Sequence, residues 1–115
     1  MIGEQLRTHE EFEGLLCPAN GDRAKYTPLV IIYFTARWCG ACKRIDFGRV
    51  AESIAARWRT CDVDVNNFTP GFCDVRAIPS FQAIIYGRCE PLFQSSSTDD
   101  IIAWLQKLKT KVAVI

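Results

Sequence analysis

Two cysteines three residues apart, Cys39 and Cys42, are the part of this 115-residue chain best suited to chemistry. They stand in Trp38-Cys39-Gly40-Ala41-Cys42-Lys43, shortly after Leu29 to Phe34, an apolar run dense in β-branched and aromatic residues. The run reads as a strand buried on both faces, and the residues after it as the start of a helix. A helix's first turn carries unpaired backbone N–H groups and the positive end of the helix dipole. A thiolate is stabilised there, and the thiolate is the nucleophilic form of cysteine. Cys39 falls at that mouth. A spacing of three returns Cys42 to the same face, within disulfide reach. Gly40 leaves room for a substrate backbone, and Arg37, Lys43 and Arg44 add positive charge that favours the anion. The alternative is a pair of cysteines packed inertly at a strand end; spacing and context together favour the reactive pair.

The other four cysteines, Cys17, Cys61, Cys73 and Cys89, follow no ligand pattern. A structural zinc site needs about four ligands, typically in two paired knuckles. This chain has one C-x-x-C and a single distant histidine, His9, so no metal is expected. Six cysteines in a secreted mini-protein would suggest three bridges. Here 49% of residues are hydrophobic, enough to fold without staples. The first residues lack a basic segment followed by a long apolar stretch, so no signal peptide is expected. The expectation is a reduced, cytoplasmic protein. Fourteen Lys and Arg against 13 Asp and Glu leave a net charge of +1, which advertises neither nucleic acid nor an anionic membrane. No apolar run approaches the ~20 residues of a membrane-crossing helix.

The elements that must position the pair are read from periodicity and caps. Thr8-His9-Glu10-Glu11 has capping-box spacing and opens a short helix carrying Phe12, Leu15 and Leu16. From about Gly40 a long helix is expected, with Phe47, Val50, Ala51, Ile54 and Trp58 on one stripe. Cys61, Val63 and Val65 alternate with Asp62 and Asp64, as in a strand with Cys61 facing the core. A short irregular helix is expected within 66–74. Ser80 to Tyr86 and Cys89 to Gln94 read as a hairpin about Gly87-Arg88. Thr98-Asp99-Asp100 starts a last helix burying Ile101, Leu105, Leu108 and Val112. His9 is expected to be solvated, and Trp58 and Trp104 to be core. Early β-α-β order gives parallel pairing, and the terminal hairpin adds antiparallel strands. One domain over residues 1–115 is expected.

These residues resemble the thioredoxin family, whose signature is W-C-G-P-C-K after a central strand and then Ile-Pro-Thr with a cis proline. Here Ile78-Pro79-Ser80 precedes the strand from Phe81 to Tyr86, and Asp62-Val63-Asp64-Val65-Asn66 and Gly87 also match. The resemblance runs from about Pro28 to the carboxyl end. It implies an α/β, thioredoxin-like fold with a central mixed five-stranded sheet flanked by four helices. It further implies Cys39 as nucleophile, Cys42 as resolving cysteine, and a redox-active Cys39–Cys42 disulfide. Trp38, Gly40, Ile78 and a cis Pro79 resemble the family's substrate-docking surface.

Several positions depart from the family. Tyr33 stands where a buried Asp is usual, and Thr60 where its Lys partner often lies. Ala41 replaces a proline between the cysteines, Phe47 followed by Gly48 replaces the helix-kinking proline, and Ser95 replaces a groove glycine. The expected function is reduction of protein disulfides with no bound cofactor. The implied partners are disulfide-containing proteins and a thioredoxin-reductase-type electron donor. Two alternatives stay open: a more oxidising disulfide oxidase or isomerase, and a binding module of the same fold. A monomer is expected, with Cys73 exposed and able to link two chains under oxidant.

Overall fold

In a computed structural model, residues 2–113 are described. A short β1 (Glu4–Gln5) and α1 (His9–Glu13) precede the central β2 (Leu29–Thr35). Then come α2 (Phe47–Glu52), β3 (Arg57–Asp62), α3 (Phe68–Phe72), β4 (Ser80–Ile85), β5 (Arg88–Cys89), β6 (Phe93–Gln94) and α4 (Thr98–Ala113). The strand order is β1-β3-β2-β4-β5, and β6 also pairs with β4. β1, β3 and β2 run parallel, and β4 to β6 are antiparallel to their neighbours. This is the expected mixed sheet with four α-helices, and its fifth position is shared by two short segments. Pro91 sits in the gap between them with no N–H to donate, while Glu90 keeps the register by donating to Ala83 O at 2.9 Å.

β2 sorts its residues by parity. Leu29, Ile31 and Tyr33 enter one core with α2 and α4, whereas Val30, Ile32 and Phe34 enter the other with Phe12 of α1. Ile31, Ile32 and Phe34 are fully buried, each contributing roughly 1.5–3 kcal/mol through removal from water. Thr8 caps α1 by accepting the Glu11 N–H, and α4 buries Ile101, Leu105 and Leu108 as its stripe requires.

Two expectations fail between the cysteines and α3. The long helix is two pieces: a 3-10 turn over Ala41–Arg44, then α2. Ile45 is extended (φ −80°, ψ 129°), and Asp46 starts α2 afresh by accepting the Arg49 N–H. Trp58 reaches the same core as Phe47, Val50 and Ile54, but from β3, where Arg57 to Asp62 pair with Val30 to Thr35. The stripe found the core residues Phe47, Val50, Ile54 and Trp58, assigned Trp58 to the wrong element, and wrongly included Ala51, which is exposed on α2. The strand expected from Cys61 to Val65 ends at Asp62 instead. Its Oδ1 accepts the Asp64 N–H at 2.9 Å, and its carbonyl accepts Val65 and Asn66 N–H, closing a turn that leaves Val65 exposed.

Candidate active site

The chain leaves β2 at Thr35 and turns at once, with Cys39 N–H donating to Ala36 O at 3.1 Å. Gly40 then caps the 3-10 turn that carries Cys42. Cys39 and Cys42 form a disulfide with Cα atoms 5.4 Å apart. The Cys42 N–H points back at Cys39 Sγ from 3.1 Å. That is the expected use of a free N–H at a helix start, made here by a 3-10 turn. The two residues are nearly equally enclosed, 4% and 6% exposed, and both belong to the core that holds Tyr33, Ile45 and Val50. Exposure therefore does not distinguish them; the hydrogen bond does.

β4 supplies the facing wall. Phe34 pairs with Ser80, so Ile78 and Pro79 emerge beside the strand end from which Ala36 to Cys39 leave. The Ile78–Pro79 peptide is cis, as the resemblance implied. Trp38 is 68% exposed and hydrogen-bonds through its indole N–H to Asp64 Oδ2 at 2.9 Å. Between Trp38 and Ile78 lies a groove of about 390 Å³, walled by Val63, Pro70, Gly71 and Val75. A Cβ on Gly40 would meet nothing within 4 Å, so the space beside the backbone between the two cysteines is open. The structure thus brings Cys39 and Cys42 into a bond and sets Ile78 and Pro79 beside the turn that carries them. Trp38 and Ile78 share a groove. Asp64 was missed from sequence because residues 61–65 read as strand; the short helix expected within 66–74 forms as α3, but its place as a groove wall was not read.

Below the cysteines, Tyr33 is buried, its ring 4.6 Å from Phe47 and 5.4 Å from Phe81. Burial pushes its phenol up from the ordinary value of 10.0, and a hydrogen bond with Thr35 works weakly the other way. The Thr60 hydroxyl donates to Ile2 O. Among the described residues no group of three or more His, Cys, Asp or Glu could hold a metal ion.

Cys17, Cys61, Cys73 and Cys89 carry free thiols. Cys61 is fully buried, and burial pushes it up to about 12. Cys73 is half-buried at the end of α3, not exposed as expected, because it packs under the β2 face. Burial, then the nearby Cys89, push its thiol up to about 12. His9 is also not solvated. Its ring lies 4.5 Å from Phe68, 5.2 Å from Phe72 and 5.3 Å from Phe12, and Nδ1 is 3.0 Å from Thr69 Oγ1.

This sheet order, with a cysteine pair at the end of the central strand and a cis proline beside it, defines the class of thioredoxin-like oxidoreductases. A family model described as Thioredoxin matches residues 19–107, and the chain belongs to that family. It is 31% identical to Thioredoxin H3 of Arabidopsis thaliana over 116 residues, covering 96% of this chain and 95% of the plant protein. It is 32% identical to Thioredoxin domain-containing protein 8 of Rattus norvegicus over 88 residues, 74% of this chain. That match spans just under two thirds of the rat protein, 65%. The crystal structure of reduced Schistosoma mansoni thioredoxin pre-protein superposes with a TM-score of 0.75 at 26% identity, over 94% of this chain and 99% of that one. No helix among the described residues is long and apolar enough to cross a membrane.

Proposed function

We propose that the chain reduces protein disulfides through Cys39 and Cys42. The Cys39 thiolate attacks one sulfur of a substrate disulfide and expels the other as a thiolate, leaving a mixed disulfide. Cys42, deprotonated, attacks Cys39 Sγ and expels the substrate's second sulfur. The substrate has gained two electrons, and the pair is left as the Cys39–Cys42 disulfide. A thioredoxin-reductase-type donor returns the two electrons, so no bound cofactor is needed. Trp38, Gly40, Ile78 and Pro79 form the surface on which an extended substrate segment docks. The four free thiols fit a reducing compartment such as the cytoplasm, with the chain acting as a monomer.

The observation that carries this reading is the Cys42 N–H aimed at Cys39 Sγ from 3.1 Å. A donor at that distance favours the Cys39 anion both as attacking group and as leaving group. Insulin-disulfide reduction, with a dithiol as electron source, tests it. Wild type should turn over, and a Cys39→Ser/Cys42→Ser double variant should not. Wild type without turnover, yet retaining a protein partner that the double variant also retains, would point to a binding module instead.

A further inference from the structure

A second cavity, separate from the Trp38–Ile78 groove, opens between α2 and the β1-β3-β2 edge of the sheet. Its volume is about 860 Å³, in the range of small-molecule sites. The floor is a polar row set by strand register: Gln5 pairs with Thr60, Thr60 with Tyr33, and Asp62 with Thr35. All five line the cavity. The roof is α2, which offers the Phe47 ring and then almost no side chain at Gly48 and Ala51, one turn apart. The exposed Arg7 and Arg37 stand at the rim.

Two of the floor's polar groups are already spent within the protein. Thr60 donates to Ile2 O. Asp62 Oδ1 accepts the Asp64 N–H. The buried Gln5 amide nitrogen has no partner among the described residues. It lies just beneath the cavity surface, so a ligand's acceptor recovers the cost of the unmade bond when the Gln5 amide turns outward. The charge at the cavity points the same way. Two guanidiniums, neither in an ion pair among the described residues, face the single carboxylate of Asp62. Phe47 and Tyr33, with ring centroids 4.6 Å apart at an angle of 53°, form an aromatic corner suited to a flat ring.

We propose that this cavity binds a small aromatic acid. The ring system lies against Phe47 and Tyr33 under the bare Gly48–Ala51 face of α2. An acceptor oxygen of the acid group faces Gln5, Arg7 and Arg37. This site does not depend on cysteine chemistry and is read out without it.

The test is a titration of the ¹⁵N-labelled full chain with 2-naphthoate, followed by backbone amide shifts. Saturable binding of one molecule per chain is expected, with the largest shifts at Gln5, Tyr33, Thr35, Thr60 and residues 47–51. Arg7→Gln/Arg37→Gln should weaken it about tenfold, as loss of two exposed ion pairs allows. The neutral alcohol 2-naphthylmethanol should be weaker by a similar factor. Ala51→Leu, an exposed helix position where leucine is tolerated, should fill the roof and abolish saturation while the spectrum stays dispersed. Non-saturating shifts, or shifts centred on Trp38, Ile78, Phe68 or Phe72, overturn the site. Equal binding of the alcohol, or full binding by folded Ala51→Leu, overturns it as well.

Discussion

The indole N–H of Trp38 and the carboxylate of Asp64 meet at 2.9 Å across 26 residues of sequence. Asp64 is itself held by the turn in which its N–H donates to Asp62. An exposed bond of this kind contributes about 1 kcal/mol or less to stability. Its effect is on orientation: a ring that is 68% exposed is fixed at one edge of the groove. Asp64→Ala should therefore leave denaturant stability within about 1 kcal/mol and raise KM for a protein disulfide about two- to fivefold, with kcat retained. Steady-state insulin reduction measures the split. A fall in kcat with unchanged KM would place Asp64 in the chemistry rather than in docking.

The division of labour between the cysteines follows from the hydrogen bond rather than from exposure. Cys42→Ser keeps the N–H that faces Cys39 Sγ, so its Cys39 should still attack and then stall as a mixed disulfide. Cys39→Ser removes the stabilised sulfur, and turnover should drop by more than about a hundredfold. Intact mass after incubation with a disulfide substrate distinguishes them. An adduct on Cys39→Ser and none on Cys42→Ser reverses the assignment.

The free thiols should differ in reactivity in the order of their enclosure. Cys89 is exposed, Cys73 is half-buried with its thiol pushed up to about 12, and Cys61 is fully buried. Although the residue is exposed, partial desolvation of its sulfur and then Glu90 raise Cys89 as well, so none of the three is fast. Iodoacetamide near neutral pH, mapped by peptide mass, should label Cys89 first, Cys73 later and Cys61 only on unfolding. For the same reason a Cys73-linked dimer should be scarce under mild oxidant on a non-reducing gel. Rapid labelling of Cys73, or a prominent dimer lost in Cys73→Ser, contradicts this order.

Much of the fold was legible because its signals are local and strong. The apolar run at β2, the Thr8 cap, the Gly87 turn and the α4 stripe each fix an element without reference to the rest. The cysteine pair was legible because two residue types at one spacing leave few uses. The break at Ile45–Asp46 was not, since Phe47 and Val50 on α2 and Ile54 just past its end keep helical spacing, and Trp58 falls on the same phase although it belongs to β3. The Asp62 turn was hidden by alternation that a strand and an Asx turn share over so few residues. The cavity floor was illegible for a different reason. Gln5, Tyr33 and Thr60 meet only through pairing of distant strands.

Cys61 makes stability depend on alkaline pH. Its native thiol is raised from 9.0 to about 12, chiefly by burial, then by Cys73 and Asp62. Below about 9 both folded and unfolded chains hold the proton and the full contribution is present. Between about 9 and about 12 the unfolded chain ionises first, so this group's contribution falls as pH rises. Cys61→Ala should cost about 1–3 kcal/mol at neutral pH by leaving a small cavity. It should also flatten the decline above about pH 9. Urea midpoints across that range for both proteins give the comparison, and parallel pH slopes would show that Cys61 is not the source.

Tyr33 lies in the core under the cysteine pair, where a proton acceptor for Cys42 would be useful. A general base must be deprotonated near the working pH and within reach of its target, directly or through one water. Burial moves the Tyr33 phenol above its ordinary 10.0, so it stays neutral throughout that range. Thr60 brings no charge to change the balance. Deprotonation of Cys42 must then fall to water or to the departing substrate sulfur. Resolution of the mixed disulfide should accordingly speed up from about pH 6 to about pH 9, as the thiolate fraction grows. Tyr33→Phe keeps the ring contacts with Phe47 and Phe81 and should slow resolution by less than about tenfold, ~1.4 kcal/mol of barrier. Stopped-flow resolution rates for both proteins across that range decide the matter. A loss of about a hundredfold or more in Tyr33→Phe, with the pH dependence flattened, would mean that the hydroxyl handles the proton after all.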